Sequence, residues 1–229
     1  MLEEGTAVER LQFYVHDIRL VDEAGAAHSF ALTSRLPWQH ERVALLELAP
    51  ARRDIVEGSV PPRRYTGVAF SVGVPFDLNH ANPLTAGAPL DRAEMFWSWQ
   101  SGYKFLRLDL TAGEHEAAFH LGSTGCSSAS ALRPPQAPCV QPNVIHVVLE
   151  GIDPMTQPIR VRVGDVVAAL ADEQRACTGD YEQTACALAY ATTGLNAETG
   201  QCGGRANGAG CEQTWFAVPA DVRSAGHAP

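Results

Sequence analysis

The sequence predicts a mainly β protein: an antiparallel, β-sandwich-like domain with a small disulfide-stapled helical segment at its C-terminal end. Short runs that alternate apolar and polar residues recur over the first two-thirds of the chain, and this period is typical of half-buried strands. Glycine and proline separate these runs, and no long helical patterns alternate with them. After Gly164 the sequence becomes alanine-rich and carries four of the six cysteines.

The predicted β-domain spans residues 1–164. Its first strand is the alternating run Arg10–Leu20, which Asp22–Gly25 ends in a turn. The aromatic segment Glu94–Leu110 predicts two strand segments, broken or bulged near Ser101 and Gly102. The other predicted strands are Ser29–Leu32, Arg42–Leu48, Tyr65–Val74, Ala117–Leu121, Val144–Leu149 and Ile159–Val163.

Residues 165–229 are predicted to form a helical, cysteine-rich appendage that packs on the same domain. Asp165 is suited to cap a short amphipathic helix that runs to Ala171. A second helix is predicted over Asp180–Thr193, because the segment is alanine-rich, has an acidic first turn and is followed by Gly194.

The six cysteines fall into three successive local pairs, and none belongs to a CxxC motif. A structural zinc site is therefore poorly supported, and disulfides between neighbours are favoured among the connectivities that six cysteines allow. Disulfides imply an oxidising compartment, periplasmic or extracellular. Residues 1–10 are acidic and lack an apolar core, so they do not resemble a signal peptide. The predicted pairs are Cys126/Cys139, Cys177/Cys186 and Cys202/Cys211.

Composition excludes several classes of protein. The formal net charge is −9 and Lys104 is the only lysine, whereas nucleic-acid binding depends on clustered cations. No apolar run is long enough to span a bilayer. The GxSxG, P-loop, HExxH and dinucleotide-loop signatures of common enzymes are absent, and we predict that the protein is not an enzyme.

Residues with metal-binding chemistry are concentrated between Gly73 and Cys126. Trp97 and Trp99 are two positions apart, so both rings project from one face of a strand. His80 ends the loop after one strand and His120 closes another, and antiparallel neighbours would bring these imidazoles beside the indoles. Two histidines without an adjacent thiolate or carboxylate favour copper.

Two other interpretations of these residues remain open. A WxW face is also typical of a hydrophobic core or of a platform that stacks on sugars or peptides, so an extracellular binding module is the alternative function. A copper-dependent enzyme would need an open coordination position and a substrate cleft. His16, in the first predicted strand, is either a further ligand or a hydrogen-bonded core residue.

Longer blocks of the sequence resemble the MbnP-like family, the copper-binding "metallo-mystery pair" proteins with a four-Cys motif that are associated with methanobactin operons. The similarity covers most of the chain and ends in the C-terminal four-cysteine segment. The blocks that carry it are LQFYVHDIRLVDEAG, LPWQHERVALLEL, YTGVAFSVGVPFDLNH, FWSWQSGYKF and FHLGSTGC.

The resemblance implies a periplasmic copper protein whose partner is a di-haem, MbnH-like protein related to MauG and cytochrome c peroxidase. In that family the partner oxidises a tryptophan of the WxW motif to kynurenine, and this modification allows copper to bind as Cu(I). Carried over to this sequence, the metal site consists of His80, His120 and Trp99 as kynurenine, with Trp97 as the alternative tryptophan. An indole nitrogen only donates a hydrogen bond, whereas the aryl amine of kynurenine has a lone pair for a metal.

Overall fold

The computed structural model describes residues 6–98, 100–130, 132–173, 176–179, 184–202 and 210–219. The described part of the chain is mainly β, with few helical residues, so the predicted fold class is confirmed. Its strands are β1 (Thr6–Asp22), β2 (Ala27–Ser29), β3 (Ala31–Leu32), β4 (Gln39–His40), β5 (Val43–Ala49), β6 (Gly58–Ser59), β7 (Tyr65–Val72), β8 (Phe96–Ser98), β9 (Gly102–Tyr103), β10 (Leu106–Ala112), β11 (His115–Leu121), β12 (Ile145–Glu150), β13 (Arg160–Val161), β14 (Ala176–Thr178) and β15 (Phe216–Ala217). Its α-helices are α1 (Phe76–Asn79), α2 (Gly164–Glu173) and α3 (Thr184–Ala191).

The main sheet has nine strands, and its principal path runs β12-β7-β1-β10-β11-β14. Strands β2 and β5 pair with β1, and β4 pairs with β5. The pairs are antiparallel except for β11 and β14, which are parallel. This parallel pair lies at one edge of an otherwise antiparallel sheet, where the chain returns through the long connection that contains α2. Three two-stranded sheets complete the described strands, and one of them pairs β8 with β9.

Strand β1 is the centre of the fold. Its first half pairs with β10, from Thr6 opposite Ala112 onward, and with β5. Its second half pairs with β7 and β2. The register shifts between His16 and Arg19, where Asp17 adopts a left-handed conformation with φ of 50°. This irregularity redirects the strand from one set of partners to the other.

The C-terminal segment contributes directly to the hydrophobic core. Leu170 of α2, Cys177 of β14 and Tyr190 of α3 are buried in the same cluster as the central strands. The ring of Trp215 is fully buried and stacks on Phe119 of β11, with centroids 6.0 Å apart. How the chain divides into domains at residue 164 stays a prediction.

The disulfide prediction is confirmed in full. Cys126–Cys139, Cys177–Cys186 and Cys202–Cys211 are bonded, and none of the six cysteines is free.

Most predicted elements are found with adjusted bounds. The segment Glu94–Leu110 contains three strands rather than two, because a short hairpin of β8 and β9 precedes β10. The described part of the second predicted helix begins at Thr184, and Gly194 follows it with φ of 71°, as a helix-ending glycine should. Residues 180–183 of that prediction lie outside the described residues.

Candidate metal centre

Asn79 connects the three sequence blocks from which the candidate site was predicted. Its side chain is almost completely buried, at 1% exposure. Its Oδ1 accepts a hydrogen bond from the backbone N–H of Tyr103 at 2.8 Å, and its Nδ2 donates to Ser123 Oγ at 2.9 Å. The same Nδ2 lies 3.2 Å from Nε2 of His80. The loop that ends in His80, the β8–β9 hairpin and the loop after β11 therefore meet at one buried amide.

Two glycines permit this close approach. A methyl group on Gly102, which has φ of 78°, would lie 2.5 Å from the side chain of Asn79. A methyl group on Gly122 would lie 2.5 Å from Cζ3 of Trp97 and 2.8 Å from the carbonyl oxygen of Tyr103. All three distances are far below ordinary contacts of a methyl carbon, so a larger residue at either position would have to displace these neighbours.

His80 directly follows α1 and is buried, with 8% of its surface exposed. The ring of Phe76 packs edge-on against it, with centroids 5.1 Å apart, and Sγ of Cys139 lies 3.7 Å from its Nε2. The carboxylate of the neighbouring Asp77 is paired with Arg42.

His120 lies on β11 and is partly buried, and a carboxylate fixes its ring. Its Nε2 is 2.6 Å from Oδ1 of Asp109 on the neighbouring strand. Arg107 donates two further bonds to Asp109, at 2.8 and 2.6 Å. Burial raises the pKa of Asp109, but the bonds from His120 and Arg107 outweigh it and hold the pKa at about 2. Because this carboxylate is ionised, Nε2 of His120 donates the hydrogen bond to it, and Nδ1 is the other ring nitrogen.

The two tryptophans of the WxW motif are placed differently. Trp97 lies on β8, is partly buried, and its ring contacts the position of Gly122, two residues after His120. Trp99 lies outside the described residues. The structure thus brings the WxW hairpin, the loop after β11 and the C-terminal end of α1, which His80 follows, into one region. The ligand set itself stays a prediction.

His16 lines a groove that also contains Phe76, whose ring packs against His80. His16 lies on β1, opposite Ser71 of β7, and His146 of β12 lies opposite the same serine. Both histidines line a groove of 730 Å³ whose lining residues include neither His80 nor His120. Nε2 of His16 is buried without a hydrogen bond. Burial lowers the pKa of His16 to about 4 and also lowers the pKa of His146, while Ser71 Oγ lies 2.9 Å from Nδ1 of His146.

Sequence reasoning missed three features of the region. The first is a cluster of possible ligand atoms, from His80, Cys126 and Cys139, that lie within 4.8 Å of one another. The second is Asp109, which pairs with Ala118 in the hairpin of β10 and β11. Ala118 and His120 lie on the same face of β11, so knowledge of this register would have placed Asp109 beside His120. The third is Asn143, whose importance no local pattern indicates.

Asn143 holds the loop after β11 against the C-terminal helix. Its Nδ2 donates to the carbonyl oxygen of Gly122 at 2.8 Å and to Oγ1 of Thr124 at 3.1 Å. Its Oδ1 accepts a 2.8 Å hydrogen bond from the hydroxyl of Tyr190 on α3. Asn143 is 1% exposed and has a left-handed backbone with φ of 51°. The appendage therefore supports the loop that carries Gly122 and Ser123.

Comparison with known proteins agrees with this architecture and with the motifs. The sequence profile of the MbnP family matches residues 2–180. The chain belongs to the MbnP family. It is similar in structure to MbnP from Methylosinus trichosporium, with a TM-score of 0.80, 25% sequence identity, and coverage of 93% of this chain and 87% of that one. Among curated proteins, none matches the chain.

Family membership places the chain among methanobactin-associated, copper-related accessory proteins that are not catalytic. Its three disulfides are typical of an extracytoplasmic compartment, extracellular or periplasmic. No helix in the described part of the chain is long and apolar enough to cross a membrane.

Proposed function

We propose that this protein is a periplasmic copper-binding protein of copper homeostasis. Its site matures when a di-haem, MbnH-like partner oxidises a WxW tryptophan to kynurenine. His80, His120 and the kynurenine formed from Trp99, or from Trp97, hold the copper as Cu(I). The protein is the substrate of this oxidation and a carrier of the metal rather than an enzyme.

The observation that carries the proposal is the convergence at Asn79. Residues that are far apart in the sequence meet through its two amide hydrogen bonds, and the glycines at positions 102 and 122 allow backbone and indole to come within contact. Such close packing around polar groups fixes the position of a ligand set before a metal binds.

The donor chemistry fits copper. Imidazole nitrogen and an aryl amine are neutral, borderline-soft ligands, which suit Cu(I) and are poor for hard cations. Asp109 orients the ring of His120 in the manner of the carboxylates that commonly support metal-binding histidines. When bound, the copper would be the ion that the protein carries.

The maturation step is a four-electron oxidation of one indole. The C2–C3 bond breaks as two equivalents of hydrogen peroxide, consumed by the peroxidase-like partner, supply two oxygen atoms and leave two waters. Hydrolysis with one further water releases C2 as formate. The ring nitrogen becomes a primary aryl amine. Its lone pair, which the indole nitrogen withholds in its π-system, is then available to a metal.

The test is to produce the chain with and without its di-haem partner and to measure peptide mass and copper content on the same samples. We expect a kynurenine mass change on the peptide with Trp97 and Trp99, and stoichiometric copper only in the co-produced sample. His80→Ala and His120→Ala should each lose the copper but keep the modification. The matched control is His40→Ala, because His40 is exposed on β4.

Unmodified tryptophans in the co-produced protein would contradict the maturation step, and stoichiometric copper in the double histidine variant would contradict the ligand set. Unmodified tryptophans without copper would favour the alternative, a module that stacks on a sugar or peptide. The contact of Trp97 with Gly122 supports the copper proposal over the stacking module, because that edge of the indole ring packs against the protein and is not available to a ligand.

A further inference from the structure

A second set of metal ligands surrounds His80. A ring nitrogen of His80 and the sulfur atoms of Cys126 and Cys139 lie within 4.8 Å of one another. His80 and Cys139 are buried, whereas Cys126 is partly exposed. The two sulfur atoms are joined in a disulfide, and a disulfide lacks the thiolate charge that makes cysteine a strong metal ligand.

Backbone hydrogen bonds hold the two cysteines side by side independently of their covalent bond. Thr124 and Gln141 exchange bonds in both directions, with N···O distances of 2.9 and 3.1 Å, and the N–H of Val140 donates to Gly125 at 3.3 Å. The side chains of Thr124 and Gln141 are also bonded, at 2.8 Å. If the disulfide opens, both sulfur atoms therefore remain beside His80.

The Cys126–Cys139 disulfide is more accessible to a reductant than the Cys177–Cys186 disulfide in the core, so it should be reduced first. Cys126 begins an exposed loop, so an external thiolate can reach its sulfur. The leaving sulfur is then that of Cys139, which lies 3.7 Å from an imidazole nitrogen. In contrast, Cys177 and Cys186 are completely buried, at 0% and 1% exposure.

We propose that reduction of the Cys126–Cys139 disulfide converts this cluster into a Cu(I) site with two thiolates and one imidazole. This proposal rests on the proposed function in taking His80 as a copper ligand. Two thiolates are softer donors than nitrogen ligands and favour Cu(I) strongly. The copper affinity of the protein then depends on the redox state of one disulfide.

The redox step balances with a dithiol as reductant. One thiolate of the dithiol attacks the sulfur of Cys126 and releases Cys139 as a thiolate. The second thiol of the reductant then attacks the mixed disulfide and releases Cys126, so two electrons pass to the protein and the reductant becomes a disulfide. Binding of Cu(I) displaces any proton that remains on the two thiols.

The test uses the full chain produced without the di-haem partner, with its tryptophans confirmed as unmodified by mass. The kynurenine site is absent from this sample, so failure of the maturation proposal does not affect the result. The protein is treated anaerobically with dithiothreitol, which is then removed, and free thiols are mapped by alkylation and peptide mass. Cu(I) affinity is measured by competition with a chromogenic chelator.

We expect thiols at Cys126 and Cys139, an intact Cys177–Cys186 bond, and a Cu(I) affinity at least about 100-fold higher than in the oxidised protein. His80→Ala should lose at least about 10-fold of that gain. The paired substitutions Cys126→Ser and Cys139→Ser should abolish it. Reduced wild-type protein alkylated at both cysteines is a second control that needs no change of sequence.

Three results would overturn the proposal. One is reduced protein with both thiols mapped but with the affinity of the oxidised form. Another is a disulfide that resists reduction until the protein unfolds. The third is an unchanged gain in His80→Ala, which would show a two-cysteine site without the imidazole and would leave the maturation proposal untouched.

Discussion

Replacing Gly122 by alanine tests whether the WxW hairpin lies against the loop after β11. Gly122 does not have a left-handed backbone, so alanine can adopt its conformation and only the available space decides the outcome. The added methyl group would lie 2.5 Å from Cζ3 of Trp97 and 2.8 Å from the carbonyl oxygen of Tyr103. The ring edge of Trp97 can move, whereas the carbonyl oxygen of Tyr103 belongs to the backbone of β9.

The size of the effect follows from these distances. A carbon contact of 2.5 Å is about 1 Å shorter than an ordinary one, so the hairpin must move by roughly that amount. Overpacking of this kind destabilises a protein by about 1–3 kcal/mol. Gly164→Ala is the matched control, because Gly164 has no neighbouring atom within 4 Å of its added methyl group. We expect the control to change the free energy of unfolding by less than about 0.5 kcal/mol.

The assay is urea unfolding of the oxidised protein, followed by circular dichroism. A double-mutant cycle with Trp97→Leu then separates the clash with the ring from that with the backbone. Removing the indole should recover part of the cost, so Gly122→Ala should be less destabilising in the Trp97→Leu background. If Gly122→Ala matches Gly164→Ala, or if the two substitutions are additive, the ring does not lie against Gly122 and the geometry argued for the site is wrong.

Three further predictions concern polar groups that are partly or fully buried. Asp109→Asn should lower the free energy of unfolding by about 1–2 kcal/mol near neutral pH, a contribution that is present above the ordinary carboxyl pKa of 3.8 and is lost as pH falls towards about 2. Asp109→Asn should also weaken copper binding by about 10- to 100-fold, because the ring of His120 loses its orienting carboxylate. The control is Asp77→Asn at an exposed position, which should change neither the free energy of unfolding nor the copper affinity by much. Urea unfolding and competition with a chelator measure the two quantities. As pH falls from 6.5 to 4, the wild-type protein should lose up to about 3 kcal/mol of its free energy of unfolding, because the folded chain, with a His16 pKa of about 4, binds fewer protons there than the unfolded chain. His16→Gln should not show this loss. If urea unfolding of the variant keeps the wild-type pH dependence, the argument is wrong. Asn143→Ala removes three hydrogen bonds from a residue with a left-handed backbone and should cost about 2–4 kcal/mol in thermal or urea unfolding, and a loss below 1 kcal/mol would show that the loop does not depend on it.

The sequence was sufficient to predict the elements whose pattern is local. Strand β1 alternates over most of its length, and the three disulfides join cysteines that are neighbours in the chain, so both could be inferred without knowledge of tertiary contacts. Gly194 was identified as a helix end because a left-handed residue is needed there. These features depend on backbone preference and on short-range spacing.

Features that depend on pairing between distant segments could not be predicted from the sequence. Periodicity shows which face of a strand is buried but not which strand lies beside it. The parallel partner of β11 and the position of Cys139 beside His80, 59 residues away, follow from topology alone. Asn143 belongs to a loop with no regular period. Its role arises from a buried carbonyl and a buried hydroxyl that each need a partner.

The central place of β1 has a consequence for the order in which the chain folds. Thr6 cannot pair with Ala112 until the whole of β10 has been synthesised, and contacts so distant in sequence form slowly. Strand β1 therefore waits for β10, the last of its partners to be made. Until β10 arrives, an edge of this long, partly apolar strand stays open to other chains. Newly made protein should therefore be most prone to aggregate before residue 112 has been added.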